Sequence, residues 1–297
     1  MKSLSFYIVD VFALTKYTGN QLAVFTNAEG LKRDEMQSIA REINYSETTF
    51  IMSQQPVDGG YNVRIFTPEY ELPFAGHPTL GTAFILQQEI IKQSIEKVIL
   101  NLGVGQIPVK FDSNDSDNVN LWMQQKAPSF DQIFGVEAIA EILKLEIDEI
   151  DTRYPIQAVS TGIPFIIVPL KTLASLKRIK VNQDKYSQLI SDTDAKCILV
   201  FCPETYYPEN QLNVRVFCDY LGVPEDPATG SANGCLAGYL VKYSYFGKNA
   251  INLRVEQGYE IKRPSLLLLK ASITVPGEAI EVHVGGKVIM VAKGEFL

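Results

Sequence analysis

The chain has 297 residues, 46% hydrophobic and 21% charged, a globular balance that excludes a disordered chain and suffices for one large domain or two of about 100–200 residues. Twenty-seven Lys and Arg against 34 Asp and Glu leave a net charge of −7, which argues against nucleic acid or an anionic membrane surface as partner. No apolar run approaches the roughly 18 residues of a membrane span, and the amino-terminal run 6–9 stops at Asp10, short of a signal peptide, so a soluble, cytoplasmic protein is expected.

In chain order, Gly19 precedes an apolar strand over 20–25, and Met36, Ile39, Ala40 and Ile43 then recur at the spacing of one helix face. Glu47 follows, before an apparent strand; composition alone reads it as a solvent-exposed carboxylate. Arg64-Ile65-Phe66 leads through a turn to Ala75-Gly76-His77-Pro78, after which residues 79–86 are apolar or small on nearly every side, as in a helix enclosed by other elements. The polar stretch 112–118 reads as a hairpin loop and 118–124 as a strand. Pro128 and Ser129 interrupt the pattern, which puts a domain junction at 127–130 and domains at 1–127 and 128–297.

The second half repeats the first in order. Gly162 precedes the apolar strand 163–168, Arg215-Val216-Phe217 leads to Thr229-Gly230-Ser231-Ala232, an all-round apolar helix covers 235–241, and strand character returns over 280–291. Three ordered matches indicate duplication, hence an α+β fold of two pseudo-symmetric domains, each with strands wrapped around one buried helix. Both helices begin at a glycine, where free N–H groups favour an anion. If the halves pack about a pseudo-two-fold, Gly76 and His77 oppose Gly230 and Ser231 across a site for a substrate carboxylate. The plainer alternative is that both glycines only shape turns and Ser231 is an N-cap.

His77 is one of two histidines, placed to donate or shuttle a proton near neutral pH, or to serve as a structural histidine; His283 reads as an outward strand residue. Asp226, ahead of Pro227, reads on its own as a turn former. The four cysteines form no C-x-x-C, so neither a disulfide framework nor a metal site is expected. No P-loop, G-x-S-x-G, H-E-x-x-H or dinucleotide fingerprint occurs, which leaves chemistry without a cofactor.

Gly76-His77-Pro78-Thr79 with Glu225-Asp226-Pro227-Ala228-Thr229-Gly230-Ser231-Ala232, together with Asp10-Val11-Phe12, Gly19-Asn20, Glu47 and Arg64-Ile65-Phe66-Thr67-Pro68, resembles the PhzF family of phenazine-biosynthesis-like isomerases over nearly the whole chain. The resemblance implies the diaminopimelate epimerase-like fold, with the terminal strand, about 288–297, completing the first domain. It implies a cofactor-independent proton relocation with Glu47 as acid/base, assisted by His77 and Asp226, and with Gly76, Gly230 and Ser231 binding substrate. It also implies a homodimer. Related epimerases place one cysteine in each half just before the helix glycine; Ala75 and Thr229 stand there, which argues against two-thiol racemisation. Two readings follow: an isomerase of a small cyclic or amino-acid-like carboxylate, and a non-catalytic binder of a small anion or partner protein on the same fold.

Overall fold

The computed structural model describes residues 4–112, 119–273 and 279–297. It divides into two compact units, Met1–Gln124 with Gly285–Leu297, and Gln125–Val284.

The first unit carries β1 (Leu4–Val11), β2 (Asn20–Phe25), β3 (Thr48–Ile51), β4 (Tyr61–Phe66), β5 (Glu71–Leu72), β6 (Lys97–Leu102), β7 (Gly105–Asp112) and β8 (Asn120–Gln125), with helices α1 (Arg33–Ile43) and α2 (Gly76–Ile85). β1–β2 is antiparallel, β2–β3 parallel, β3–β4 and β4–β5 antiparallel, β4–β6 parallel, and β6–β7 and β7–β8 antiparallel. The loop expected at 112–118 lies, beyond Asp112 itself, outside the described residues; the β7–β8 pairing of Asp112 with Asn120 flanks it.

The low polarity of α2 has its cause in burial: every residue but Phe84 is buried, and the helix packs against β1, β2, β3, β6, β7 and the terminal strand. Gly81 permits this closeness, because a Cβ there would lie 2.5 Å from Leu22 Cδ2 and 3.0 Å from Val11 Cγ2. Beyond Ile85 the helix continues as a π-helical turn, Leu86–Ile91. On the sheet's other face α1 buries Met36 and Ala40 against Phe25, Phe50 and Phe66, and the Phe25 and Phe50 rings stack at 5.2 Å.

The second unit carries β9 (Ser129–Ile133), β10 (Gln157–Ser160), β11 (Pro164–Pro169), β12 (Cys197–Cys202), β13 (Leu212–Cys218), β14 (Val223–Asp226), β15 (Ala250–Gln257) and β16 (Ser265–Ser272). Its helices are α3 (Val136–Leu143), α4 (Leu173–Arg178), α5 (Gln183–Ser191) and α6 (Gly230–Lys242). The pairing signs of the first unit return in the same order: β10–β11 antiparallel, β11–β12 parallel, β12–β13 and β13–β14 antiparallel, β13–β15 parallel, β15–β16 antiparallel. α6 is buried except at Ser231 and Lys242 and packs against β10, β11, β15 and β16. α3, α4 and α5 cover the opposite face, where Ile139, Leu143, Leu176 and Tyr186 meet Ile166, Val168, Ile198 and Val200. With both faces covered, β11 and β12 read as continuous apolar runs rather than alternating ones.

The strand character expected over 280–291 falls on two strands, β17 (Glu281–Gly286) and β18 (Val288–Phe296), the second of them the terminal strand expected at about 288–297. The break falls at Lys287; two residues before it, Gly285 has no room for a Cβ, which would meet the Trp122 ring at 2.5 Å. β18 pairs antiparallel with β1 in the first unit, as β9 does with β10 in the second. His283 is half-buried between the buried Val282 and Val284, its Nε2 3.6 Å from Glu281 Oε1.

Candidate active site

α1 ends at Asn44 in the left-handed conformation (φ 56), and the chain then turns through Glu47 into β3. The parallel register that pairs Ala23 with Thr48 sets Glu47 at the same end of the sheet as Gln21. α2 starts at that end, and His77, its second residue, is 5% exposed. The structure therefore brings together Glu47 and His77: Oε2 of Glu47 lies 3.4 Å from Nε2 of His77.

Burial pushes the His77 imidazole down to about 3, opposed by a hydrogen bond to the Gln21 backbone that favours the cation. A bond of that sign is one the ring donates, and Nε2 has no hydrogen-bond partner, so Nδ1 is the donor and Nε2 presents a lone pair towards Glu47. Desolvation favours the neutral ring. One proton placed between Oε2 and Nε2 turns their contact into a hydrogen bond.

Asp226 closes β14, paired with Val216, and so lies in a strand end as well as before a turn. Thr229 Oγ1 donates to its Oδ2 at 2.5 Å. Gln257, fully buried, donates to Thr229 Oγ1 (3.0 Å) and to the Asp226 carbonyl (2.8 Å), and its Oε1 accepts from Thr229 N (3.2 Å) and Asn233 Nδ2 (2.9 Å).

Gly76 and Gly230 are the first residues of α2 and α6, and Ser231 is the second residue of α6. The N-cap positions are Ala75 and Thr229, neither with a side-chain cap bond, so Ser231 is not the cap. Uncapped first-turn amides at a helix start are suited to an anion. Cys235, one turn further along α6, is buried with its thiol pushed up to about 11 by desolvation, which makes it a packing residue.

Two ion pairs were missed from sequence. Arg64 grips Glu71 at 2.7 and 2.6 Å, and Arg215 grips Glu225 at 2.9 and 2.7 Å, while Arg215 Nη1 also donates to the Leu176 carbonyl at 2.9 Å. Each glutamate stands five residues before the helix glycine, in Glu71-Leu72-Pro73-Phe74-Ala75-Gly76 and Glu225-Asp226-Pro227-Ala228-Thr229-Gly230. That repeated E-x-P-x-x-G was the available signal. Each pair ties the short strand feeding the helix start to its neighbour, β5 to β4 and β14 to β13.

Surface cavities lie elsewhere. One of about 750 Å³ is lined by Arg33, Met52, Arg64 and Glu71 among others, and one of about 540 Å³ by Asp131, Ser160, Asp192 and Lys196 among others; neither includes a sequence-predicted site residue. Among the described residues, no cluster of three or more His, Cys, Asp or Glu could hold a metal ion, and no helix is long and apolar enough to cross a membrane.

The family model of the phenazine biosynthesis-like proteins, PhzC-PhzF, matches residues 9–294. A Pseudomonas aeruginosa protein named trans-2,3-dihydro-3-hydroxyanthranilate isomerase is 32% identical over 97% of this chain and 98% of its own. The crystal structure of a Bacillus anthracis phenazine biosynthesis protein of the PhzF family superposes with a TM-score of 0.92 at 29% identity, covering 100% of both chains. A hydroxyproline epimerase from Agrobacterium vitis shares the fold with a TM-score of 0.64 at 9% identity, over 100% of this chain and 91% of its own. Two strand-wrapped helices in repeated topology, each entered through E-x-P-x-x-G, accompany a sequence match across almost the full length, and the chain belongs to the phenazine biosynthesis-like PhzC-PhzF family.

Proposed function

We propose that this protein is an isomerase that relocates a proton on a small cyclic or amino-acid-like carboxylate, of the type that trans-2,3-dihydro-3-hydroxyanthranilate represents. The observation that carries the reading is the Glu47 carboxylate 3.4 Å from a buried neutral imidazole whose Nε2 has no hydrogen-bond partner, beside the start of α2. A site that only bound an anion would need the helix amides but no proton carrier. The name of the Pseudomonas aeruginosa relative supports the same class of substrate.

In this mechanism the amides of Gly76 and His77 hold the substrate carboxylate. Glu47 takes a proton from one carbon; the electron pair left behind moves into the neighbouring double bond, and Glu47 returns a proton at the far end of the shifted system. No electron leaves the substrate and no group is transferred, so the step balances without a cofactor. His77, neutral, accepts from Glu47 when that carboxyl carries the proton. With Ala75 and Thr229 preceding the helix glycines, the chemistry is not that of a two-cysteine racemase.

The test is incubation of the full chain with trans-2,3-dihydro-3-hydroxyanthranilate, followed by proton NMR. Movement of the ring double bonds supports the reading. Thermal stabilisation by the compound without conversion would favour the non-catalytic anion binder instead; a ligand at 100 times its Kd stabilises by roughly 2.7 kcal/mol, well within detection.

A further inference from the structure

Enclosed as it is, α2 carries two fully buried threonines, Thr79 and Thr82. Thr79 satisfies its hydroxyl within the helix, on the Ala75 carbonyl four residues back at 2.7 Å. A helical threonine commonly bonds in this way, and for Thr82 the acceptor would be the Pro78 carbonyl. The Thr82 hydroxyl instead meets that of Thr49 on β3, with the two oxygens 2.8 Å apart. Thr49 is fully buried as well, so the contact is a hydrogen bond between helix and sheet in surroundings without water.

Both partners stand close along the chain to the proposed proton carriers. Thr49 is two residues after Glu47, and Thr82 is five residues after His77. Glu47 and Thr49 both turn their side chains to α2, the first to His77 and the second to Thr82. Two residues of extended chain rise about 6.5–7 Å and five residues of α-helix about 7.5 Å. The spacing on the strand therefore matches the spacing on the helix, and two contacts close the frame that β3 and α2 make. One is the hydroxyl pair; the other is the carboxylate–imidazole contact at 3.4 Å.

We infer that Thr82 and Thr49 are positioning residues, whose hydrogen bond fixes where α2 lies along β3 and with it the separation of Glu47 Oε2 from His77 Nε2. This rests on the proposed reading that Glu47 and His77 carry the proton. The bond of the His77 ring to the Gln21 backbone ties that residue to β2, and the pairing of β2 with β3 fixes the strands to each other. The threonine pair supplies the tie between the helix and the strand that Glu47 leads into. Hydrophobic burial is non-directional, so the close approach of Gly81 to Leu22 and Val11 presses the helix onto the sheet more than it sets its place along it. A hydrogen bond weakens steeply away from its own length and angle.

The experiment uses the full chain. Thr82→Val keeps the side-chain shape and removes the hydroxyl; Thr82→Ser keeps the hydroxyl and removes the methyl. Thr49→Val makes the same deletion from the strand side should Thr82→Val fold poorly. With [¹⁵N]histidine, and His77→Gln to identify the signals, the His77 Nε2 resonance at one fixed pH is expected to move in the valine variants. Nδ1, bonded to Gln21, is expected to stay, and Thr82→Ser to return Nε2 to its wild-type position. With trans-2,3-dihydro-3-hydroxyanthranilate, kcat is expected to fall about 10–100-fold in the valine variants and to recover in Thr82→Ser. KM changes little, because the amides of Gly76 and His77 move with the helix. Valine variants that lose stability to urea but keep the wild-type Nε2 resonance or the wild-type kcat overturn the inference, as does a Thr82→Ser chain perturbed as much as Thr82→Val. If the wild type itself converts no substrate, the isomerase reading fails and the resonance alone decides the role of Thr82. An active enzyme whose valine variants keep the wild-type kcat fails this role alone.

Discussion

At the residue scale, His77 sets the pH behaviour of the first helix start. Its folded value, about 3, is lowered from 6.5, so the unfolded chain binds a proton that the folded chain refuses. The contribution is therefore fully present above pH 6.5 and is lost as pH falls towards 3. Between pH 7.5 and 5 the loss amounts to about 2 kcal/mol, since each pH unit below 6.5 costs about 1.4 kcal/mol. Urea unfolding of wild type and His77→Gln at both pH values is expected to show wild type losing that much more. Equal losses would show that the folded imidazole takes up a proton by pairing with Glu47. From sequence, His77 stood out by position, but its tautomer and neutrality depend on the Gln21 carbonyl and on burial, which no local pattern encodes. Glu47 gave still less: a carboxylate between helix and strand looks exposed until the parallel pairing of β2 with β3 brings it beside the start of α2.

At the scale of elements, the two arginine–glutamate pairs occupy equivalent places in different surroundings. Arg215 and Glu225 side chains are 8% and 10% exposed, while Arg64 and Glu71 are 30% and 27% exposed. Removing one partner of a buried pair strands the other charge, whereas water re-solvates a half-exposed one. Glu225→Ala is accordingly expected to cost about 3–5 kcal/mol and Glu71→Ala about 1 kcal/mol or less in chemical denaturation. Equal costs would show that burial does not separate the two. Arg64 holds the Glu71 carboxyl below its ordinary range, so that pair stabilises the fold above the ordinary carboxylate value and fades as pH falls through the lowered one. The central helices were legible because a helix that is apolar all round must be enclosed on every side, and in both halves it follows a glycine. α3, α4 and α5 were not singled out: α4 has six residues, and the strands they cover already read as apolar runs. Gripping pairs seven and ten residues apart become neighbours only through the antiparallel register of β4–β5 and β13–β14.

At the scale of the molecule, the order of strand pairings is the same in both units, so the sequence repeat reflects a repeated topology rather than chance motif similarity. Three short matches sufficed to detect it because glycine, arginine and the buried helix each answer to a backbone constraint that both halves share. A homodimer is the assembly proposed for the chain, by family resemblance and the general prevalence of two-fold assemblies. Light scattering at micromolar concentration is expected to give twice the 33.1 kDa of one chain, and a species of 33.1 kDa alone would contradict it. The central claim, that Glu47 moves the proton while the helix amides bind the substrate, is tested most directly in deuterated water. With trans-2,3-dihydro-3-hydroxyanthranilate, deuterium incorporation at the reprotonated carbon is followed by NMR for wild type and Glu47→Gln, alongside binding of the same compound. The account predicts incorporation slowed by at least about 100-fold in Glu47→Gln with affinity nearly unchanged; incorporation at the wild-type rate in that variant would contradict it.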